Sequence, residues 1–395
     1  MIAEADAAEL LLILSIIIIV AKLLEELISY YGYPPILGDI LAGIILGPSV
    51  LGLITPEIID YLDVIKWIGI ISLLFLAGLE TKFTQFMRSI RSSLLVAAGG
   101  IIGSFILGYL AGILAGLNSA QSIFLGTILT ATSVGLTVKT LTDVGALGTM
   151  YFTVILGAAV LDDVGGLIVF GLAKATVTTG TAMIEELFLT AIIAISFYII
   201  TLFLLHKSSR FIWGLMRHIS RLEDSIIAFL LGLTLIIAWA TVEVNLSLVV
   251  GAYLVGLAFS EVKGVENVMR RFSLIPNIFA SIFFVLSAAS IDIKPYVTHI
   301  EYLGFIGIVL VAAFAGKILG CGLAAKLDKL DWKSSLFIGV GMLPRAEVAL
   351  VVSALGKGYG VVTDSMIAAT IFVIYVTSIV TPILLTSLWK RMATK

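Results

Sequence analysis

The chain has 395 residues, of which 60% are hydrophobic and 13% charged, with a formal net charge of −2. Together with a mean hydropathy of +1.16, this composition excludes a soluble globular protein and assigns the chain to a bilayer. A single cysteine, Cys321, leaves no disulfide framework and no cysteine metal site within the chain.

Apolar windows of about 20 residues, long enough to cross about 30 Å of hydrocarbon, recur about thirteen times. They fall at 8–30, 35–54, 62–79, 93–116, 120–142, 150–175, 183–206, 224–242, 246–260, 274–291, 300–326, 333–356 and 362–389. Runs such as Leu10 to Val20 do not alternate in polarity, so these are helices and not strands of a barrel. Glu4, Asp6 and Glu9 precede the first run in place of the basic start of a signal peptide, which predicts a retained helix. The fold class expected is an all-α polytopic membrane protein.

Basic residues gather at every second connection. The clusters are Lys82, Arg88 and Arg91; Lys207, Arg210, Arg217 and Arg221; Lys263, Arg270 and Arg271; Lys326, Lys329 and Lys333; and Lys390, Arg391 and Lys395. Short cytoplasmic loops retain Lys and Arg, so the N-terminus is expected outside and the C-terminus in the cytoplasm, in a cell (inner, cytoplasmic) membrane. The polar interval 207–222 separates two sets of six helices flanking the seventh, and the two sets enter the membrane from opposite sides. That is the plan of an inverted repeat, as in many secondary transporters. Phe211, Ile212, Trp213, Leu215 and Met216 among the basic residues of that interval predict an interfacial amphipathic linker.

In the second segment, Gly43 and Gly47 permit close helix packing, within the chain or at a dimer contact, and Asp39 is expected near the membrane surface. In the fifth, Thr130, Ser133, Thr137 and Thr140 recur at intervals of three and four, with Thr132 beside them and Gly135 among them. Hydroxyls and freed carbonyls suit a hard cation. The other reading is a set of hydroxyls bonded back to the preceding turn.

The sixth segment carries Asp162 and Asp163 within Gly157-Ala-Ala-Val-Leu-Asp-Asp-Val-Gly-Gly-Leu-Ile-Val169. An ionised carboxylate at a bilayer centre costs at least about 2.5–3.5 kcal/mol, so two in succession need partners or a function. Neighbours on a helix point about 100° apart and therefore face different surroundings. A partner is available in the eleventh segment, where Lys317 is the only basic residue at depth and can pair with Asp162 or Asp163 unless it snorkels to the interface. In the twelfth, Gly339-Val-Gly-Met-Leu-Pro-Arg-Ala-Glu347 interrupts the apolar run. Pro344 breaks the helix there, and Arg345 with Glu347 forms either an ion pair holding the break or a gate. The fifth and twelfth segments hold equivalent places in the two halves and are expected to cross near the aspartates. No nucleotide loop or hydrolase motif is present, and His206, His218 and His299 are read as scattered in loops. A primary pump, a soluble-type enzyme and a nucleic-acid partner are therefore not expected, and no cofactor is implied.

Taken together, Gly38-Asp-Ile-Leu-Ala-Gly-Ile-Ile-Leu-Gly-Pro48, Phe75-Leu-Ala-Gly-Leu-Glu80, Ala131-Thr-Ser-Val-Gly135, Asp162-Asp163 and Gly341-Met-Leu-Pro-Arg-Ala-Glu347 resemble the cation:proton antiporter-2 family, in particular its bacterial electrogenic NapA-type sodium/proton antiporters. The resemblance spans almost the whole chain in order. It implies an NhaA/NapA-like fold with two crossing interrupted helices. The implied domains are a dimerisation domain (1–92 and 224–299), a mobile core or transport domain (93–182 and 300–395) and a linker helix with its interfacial segment (183–223). It implies a homodimer among membrane lipids that exchanges Na⁺ or Li⁺ for H⁺ and serves pH homeostasis, with K⁺/H⁺ exchange as the alternative and a cation channel as a remoter one. Asp163 would be the carrier for which cation and proton compete, with Asp162, Thr132 and Ser133 as further cation ligands. Lys317 would pair with Asp162 in the cation-free state. Thr130, Thr137, Pro344, Arg345 and Glu347 would support or gate the site.

Overall fold

Backbone N–H and C=O groups in hydrocarbon must be satisfied within the chain, which leaves helices or closed barrels as the only spanning structures. The computed structural model describes residues 4–177, 182–219, 223–297 and 300–393, and every regular element among them is helical. The chain opens with α1 (Glu4–Tyr30), α2 (Ile36–Leu46), α3 (Pro56–Glu80) and α4 (Phe83–Leu114). It continues through α5 (Ser119–Ile128), α6 (Val134–Asp143), α7 (Met150–Ala175), α8 (Ala182–Ile219), α9 (Glu223–Glu243) and α10 (Leu248–Phe259). Then follow α11 (Val265–Phe272), α12 (Leu274–Ala289), α13 (Lys294–Val297), a 3₁₀ turn (Ile300–Tyr302), α14 (Leu303–Leu327), α15 (Trp332–Gly341), α16 (Glu347–Gly358) and α17 (Asp364–Ala393).

Among the described residues, nine helical stretches are long and apolar enough to cross a membrane. The predicted segments 35–54 and 246–260 are occupied by shorter helices, α2 with 11 residues and α10 with 12. Segments 120–142 and 333–356 are each divided, into α5 and α6 and into α15 and α16. Helix starts carry the expected chemistry. Pro56 occupies the first turn of α3, and Asn118 and Gln121 close a reciprocal capping box on α5. Asp331 caps α15: the Ser334 hydroxyl and the Ser334 and Lys333 N–H groups donate to its carboxylate and hold its pKa below the usual aspartate range.

Two expectations change. The interval 207–222 is not a separate amphipathic segment up to Ile219, because α8 runs unbroken for 38 residues. Nothing between Lys207 and Trp213 breaks the helix, and the hydroxyls of Ser208 and Ser209 bond back to the carbonyls of Leu204 and His206 without unwinding it. Arg221 and the rest of 220–222 lie outside the described residues. His206 and His218 accordingly sit in α8, not in loops, with the His206 ring stacked 3.6 Å from that of Phe83, and His299 lies outside the described residues.

Two sets of helices pack separately. One comprises α1, α2, α3 and α9 to α12; the other α4 to α7 with α14 to α17; α8 touches α7 on one side and α9 and α10 on the other. They meet where α6 touches α2 and α3 and where α17 touches α2. Glycine permits the closest approaches. Gly43 and Gly47 of α2 are used inside the chain, against α12: a Cβ on Gly43 would lie 2.3 Å from the Val285 carbonyl oxygen. In the second set, a Cβ on Gly320 of α14 would lie 2.2 Å from the Gly99 carbonyl oxygen of α4. Since backbone and not a flexible side chain fills that space, Gly320→Val must separate α4 from α14. The expected loss of stability is about 3 kcal/mol, read as a lower midpoint of thermal unfolding in detergent; an unchanged midpoint would show that the contact yields.

Candidate functional site

The site is built from the two helix breaks. α5 ends at Ile128 and α6 begins at Val134, with the Ser133 hydroxyl accepting from Leu136 N at 3.4 Å as its cap. α15 ends at Gly341 and α16 begins at Glu347, with Pro344, which has no N–H to donate, between them. The two breaks meet. Ser133 N donates to the Pro344 carbonyl at 2.9 Å, the Thr132 hydroxyl to the Met342 carbonyl at 3.3 Å, and the Thr137 hydroxyl to the Gly341 carbonyl at 3.0 Å. Thr130 donates to Thr127 O at 2.7 Å, so this hydroxyl bonds back to its own turn. The polar stripe is thus split by the break: Thr130 closes α5, while the Thr132 and Thr137 hydroxyls and the Ser133 N–H bond to the opposite break.

Breaking two helices frees carbonyls, and Arg345 answers them. Its Nε and Nη2 donate to Leu129 O at 3.1 and 2.8 Å, and its Nη1 to Leu343 O at 2.6 Å. Weaker bonds reach Met342 O at 3.4 Å and the Ser104 hydroxyl at 3.5 Å, while the Thr377 hydroxyl accepts from Arg345 N at 3.2 Å. The residue is fully buried. The pairing with Glu347 expected from sequence falls on a side chain outside the described residues; what the guanidinium is seen to hold is backbone from both breaks. Those carbonyl partners were missed from sequence, although two facing breaks imply orphan acceptors that only a forked donor reaches. Arg345→Lys keeps the charge but loses the fork. We expect it to lower stability by at least about 2 kcal/mol, since each buried group left unsatisfied costs about 1–3 kcal/mol; a thermal midpoint equal to that of the parent would overturn this account.

Beside the crossing, Lys317 Nζ donates to both carboxylate oxygens of Asp162, each at 2.9 Å, with both side chains fully buried. Glycine again sets the position: Gly100 of α4 lies against the lysine, and a Cβ there would stand 3.2 Å from Nζ and 2.5 Å from Cys321 Sγ. Asp163, one step round α7, is only partly buried. A cavity of about 50 Å³ reaches the crossing between the two helix sets, lined by Ser133 and Ala346 at the breaks, Ile40, Phe283 and Phe284 on one side and Ser378 on the other. Among the described residues no three or more His, Cys, Asp or Glu side chains cluster as a metal site. The arrangement is one carboxylate neutralised by lysine, a second partly open, and hydroxyls and freed carbonyls at two tied breaks.

A helical, membrane-type fold that buries an acid–lysine pair beside two helix breaks bonded to each other defines a class of polytopic membrane proteins with a charged site enclosed among their helices. Residues 11–391 match the model of the family described as sodium/hydrogen exchanger, transmembrane, and the chain belongs to that family. It is 36% identical over 346 residues to the probable Na(+)/H(+) antiporter GerT of Bacillus cereus, covering 87% of this chain and 89% of that one. It is 33% identical over 374 residues to the Na(+)/H(+)-K(+) antiporter GerN of the same organism, covering 93% of each. Its fold is similar to the solved structure of the sodium proton antiporter MjNhaP1 from Methanocaldococcus jannaschii at pH 8, with a TM-score of 0.65 over 96% of this chain and 97% of that one, at 18% identity.

Proposed function

We propose that this chain is a secondary antiporter exchanging Na⁺ or Li⁺ for protons, two protons per cation, with Asp163 as the carboxylate for which cation and proton compete. The observation that carries this reading is the fully buried Asp162–Lys317 pair beside the crossed breaks, with Asp163 next to it and partly open. A cation arriving at Asp163 recruits Asp162, Thr132 and Ser133 as oxygen ligands and releases Lys317, whose ammonium then gives up the second proton. Family membership supports cation/proton exchange, and the two relatives above bear antiporter names.

In this reading the helices divide as a dimerisation domain (1–92 and 224–299), a mobile core (93–182 and 300–395) and a linker (183–223). About thirteen spans in two inverted sets of six carry the breaks to the membrane middle. The core slides against the dimerisation domain to alternate access, in a homodimer seated in the inner membrane with its N-terminus outside and its C-terminus in the cytoplasm. Stoichiometry decides what such an exchanger can achieve. One net charge crossing 100 mV gains about 2.3 kcal/mol, whereas a tenfold concentration gradient costs about 1.4 kcal/mol. A two-for-one exchanger therefore sustains more than a tenfold cation gradient with no pH difference. K⁺/H⁺ exchange is the second reading, favoured by the name of the 33% identical relative, which includes K(+).

The test is transport in proteoliposomes with an internal pH dye, an imposed potential and Na⁺, Li⁺ or K⁺ supplied in turn. Proton movement driven by Na⁺ or Li⁺ and accelerated by the potential is the expected result. Failure of all three cations to move protons overturns antiport, indifference to the potential overturns the two-for-one ratio, and a response to K⁺ alone transfers the assignment to the second reading.

A further inference from the structure

A second polar cluster, open to solvent at Lys22 and fully buried at Asp39, lies where the two helix sets meet, at the end of the molecule where α1, α6 and α17 finish. Lys22 Nζ of α1 donates to both Glu25 carboxylate oxygens at 2.9 Å, and to Asn277 O at 2.6 Å and the Ser281 hydroxyl at 2.8 Å on α12. The Ser281 hydroxyl in turn reaches Glu25 at 2.7 Å. Across the cluster, Lys139 of α6 donates to Asp143 at 2.8 Å, and Asp143 accepts from Ile36 N at 3.0 Å. The start of α2 has no side-chain cap of its own, so Asp143 supplies one from the other helix set. This contact latches α6 to α2.

Asp39 of α2 lies between these pairs. It is fully buried, and among the described residues no donor reaches either of its carboxylate oxygens. Each nearby ammonium is already committed to another carboxylate, Lys22 to Glu25 and Lys139 to Asp143. The acid nearest along the α1–α2 contact is Glu25: a Cβ on Gly38, next to Asp39, would lie 2.4 Å from the Glu25 backbone nitrogen, and the two carboxyl groups act on each other. Asp39 has no water to solvate a charge, so an ionised Asp39 beside the Glu25 carboxylate goes unanswered, whereas one proton between the two satisfies both. The charges of the cluster then cancel: Lys22 and Lys139 against Glu25 and Asp143, with Asp39 carrying the proton. α12 adds no ionisable group, and α17 adds Lys390, 3.5 Å from Gly32 O. Asp143 and Lys390 line a cavity of about 380 Å³ with Ser29, Pro35 and Trp389, which lets a proton reach the cluster.

We propose that Glu25 and Asp39 form a proton site separate from the Asp162–Asp163 site, and that release of its proton loosens the α2–α6 latch. A newly charged Asp39 competes with Asp143 for Lys139, which lies within electrostatic reach of both acids. Drawn toward Asp39, the ammonium leaves Asp143, and the cap on Ile36 weakens. On the antiporter reading, the latch joins the moving core to the dimerisation domain, and its release would let pH set how readily the core moves. That consequence rests on the proposed function, but the proton site and the latch do not.

The test uses the full chain in lipid vesicles and needs no transport. Infrared difference spectra over a pH titration follow the carboxylic-acid carbonyl band, and spin labels on Tyr31→Cys and Met150→Cys, both exposed, report the separation of the α1–α2 and α6–α7 connections. Asp39→Asn is expected to remove one titrating acid band, whereas Glu25→Gln keeps that band, carried by Asp39, with a moved midpoint. The label separation should increase as pH rises in the parent and stay constant in Asp39→Asn, while Glu25→Gln shifts its midpoint by about one pH unit, a tenfold change in proton affinity. If Asp39→Asn does not fold, Glu25→Gln carries both measurements. A band that survives in Asp39→Asn, or a band or separation change whose midpoint is unmoved in Glu25→Gln, overturns the proposal. Loss of cation exchange with both signals intact would instead count against the antiporter reading alone.

Discussion

Asp163→Asn is expected to reduce cation-driven proton movement to the rate of protein-free vesicles. Asparagine preserves the volume and one carbonyl acceptor but removes both the negative charge and the proton that the exchange requires. Asp162 cannot take over, because both its oxygens are held by Lys317 at 2.9 Å in a fully buried pair. The hydroxyls of Thr132 and Thr137 cannot either, since they donate to carbonyls of the opposite break and carry no charge. Asp163→Glu retains the chemistry on a longer arm and should keep part of the activity with a changed apparent affinity for the cation. Full exchange by Asp163→Asn would remove this residue from the centre of the mechanism. Because Asp163 is only partly buried, its loss should leave the thermal midpoint nearly unmoved, which separates a transport defect from a folding defect.

Lys317→Ala should show the opposite balance, with a large effect on stability as well as transport. It leaves the Asp162 carboxylate buried without its ammonium, and breaking a buried pair in this way costs about 3–5 kcal/mol. Asp162→Asn combined with Lys317→Ala removes the stranded charge and is expected to recover most of the loss. A double-mutant cycle on thermal midpoints measures the coupling. Additive losses would mean that the pair seen in the structure contributes nothing. In vesicles, the proposed two-for-one exchange needs the lysine to give up a proton, so the recovered double variant should exchange without responding to an imposed potential. Retained sensitivity to the potential would eliminate Lys317 as the second proton carrier.

Much of this molecule was legible along the chain. Hydropathy is a local property, so the apolar windows were readable wherever a helix lies, and Pro344 with its flanking glycines marked one break. The serine and threonine run marked the other less securely, because the same hydroxyls can bond back to their own turn, as Thr130 does. Asp162, Asp163 and Lys317 stood out because a charge in hydrocarbon is expensive. The choice of Asp162 over Asp163 as the lysine's neighbour was not readable from spacing. It depends on how α7 and α14 are turned against α4, and the contact of Gly99, Gly103, Gly316 and Gly320 sets the α4–α14 half of that geometry. The roles of Arg345 and Asp39 were missed for a related reason. Arg345 bonds Leu129, 216 positions away in the chain, and Asp39 faces Glu25 across a helix–helix contact, while Asp143, 107 positions from Ile36, caps its helix.

By itself, the sequence determined that the chain is helical and membrane-embedded, where its polar interruptions fall, and which three charged residues in apolar segments required an explanation. These follow from free energies summed over a residue and its immediate neighbours, such as the transfer of a side chain into hydrocarbon or the loss of one backbone donor at a proline. Only the tertiary structure decided that the two breaks bond to each other, that Arg345 holds their carbonyls, that Lys317 neutralises Asp162, and that α1 brings Glu25 beside Asp39 of α2. Those pairings depend on the rotation and separation of packed helices to within an ångström. No local property of the chain encodes that, because it is settled by steric contact between residues far apart in sequence.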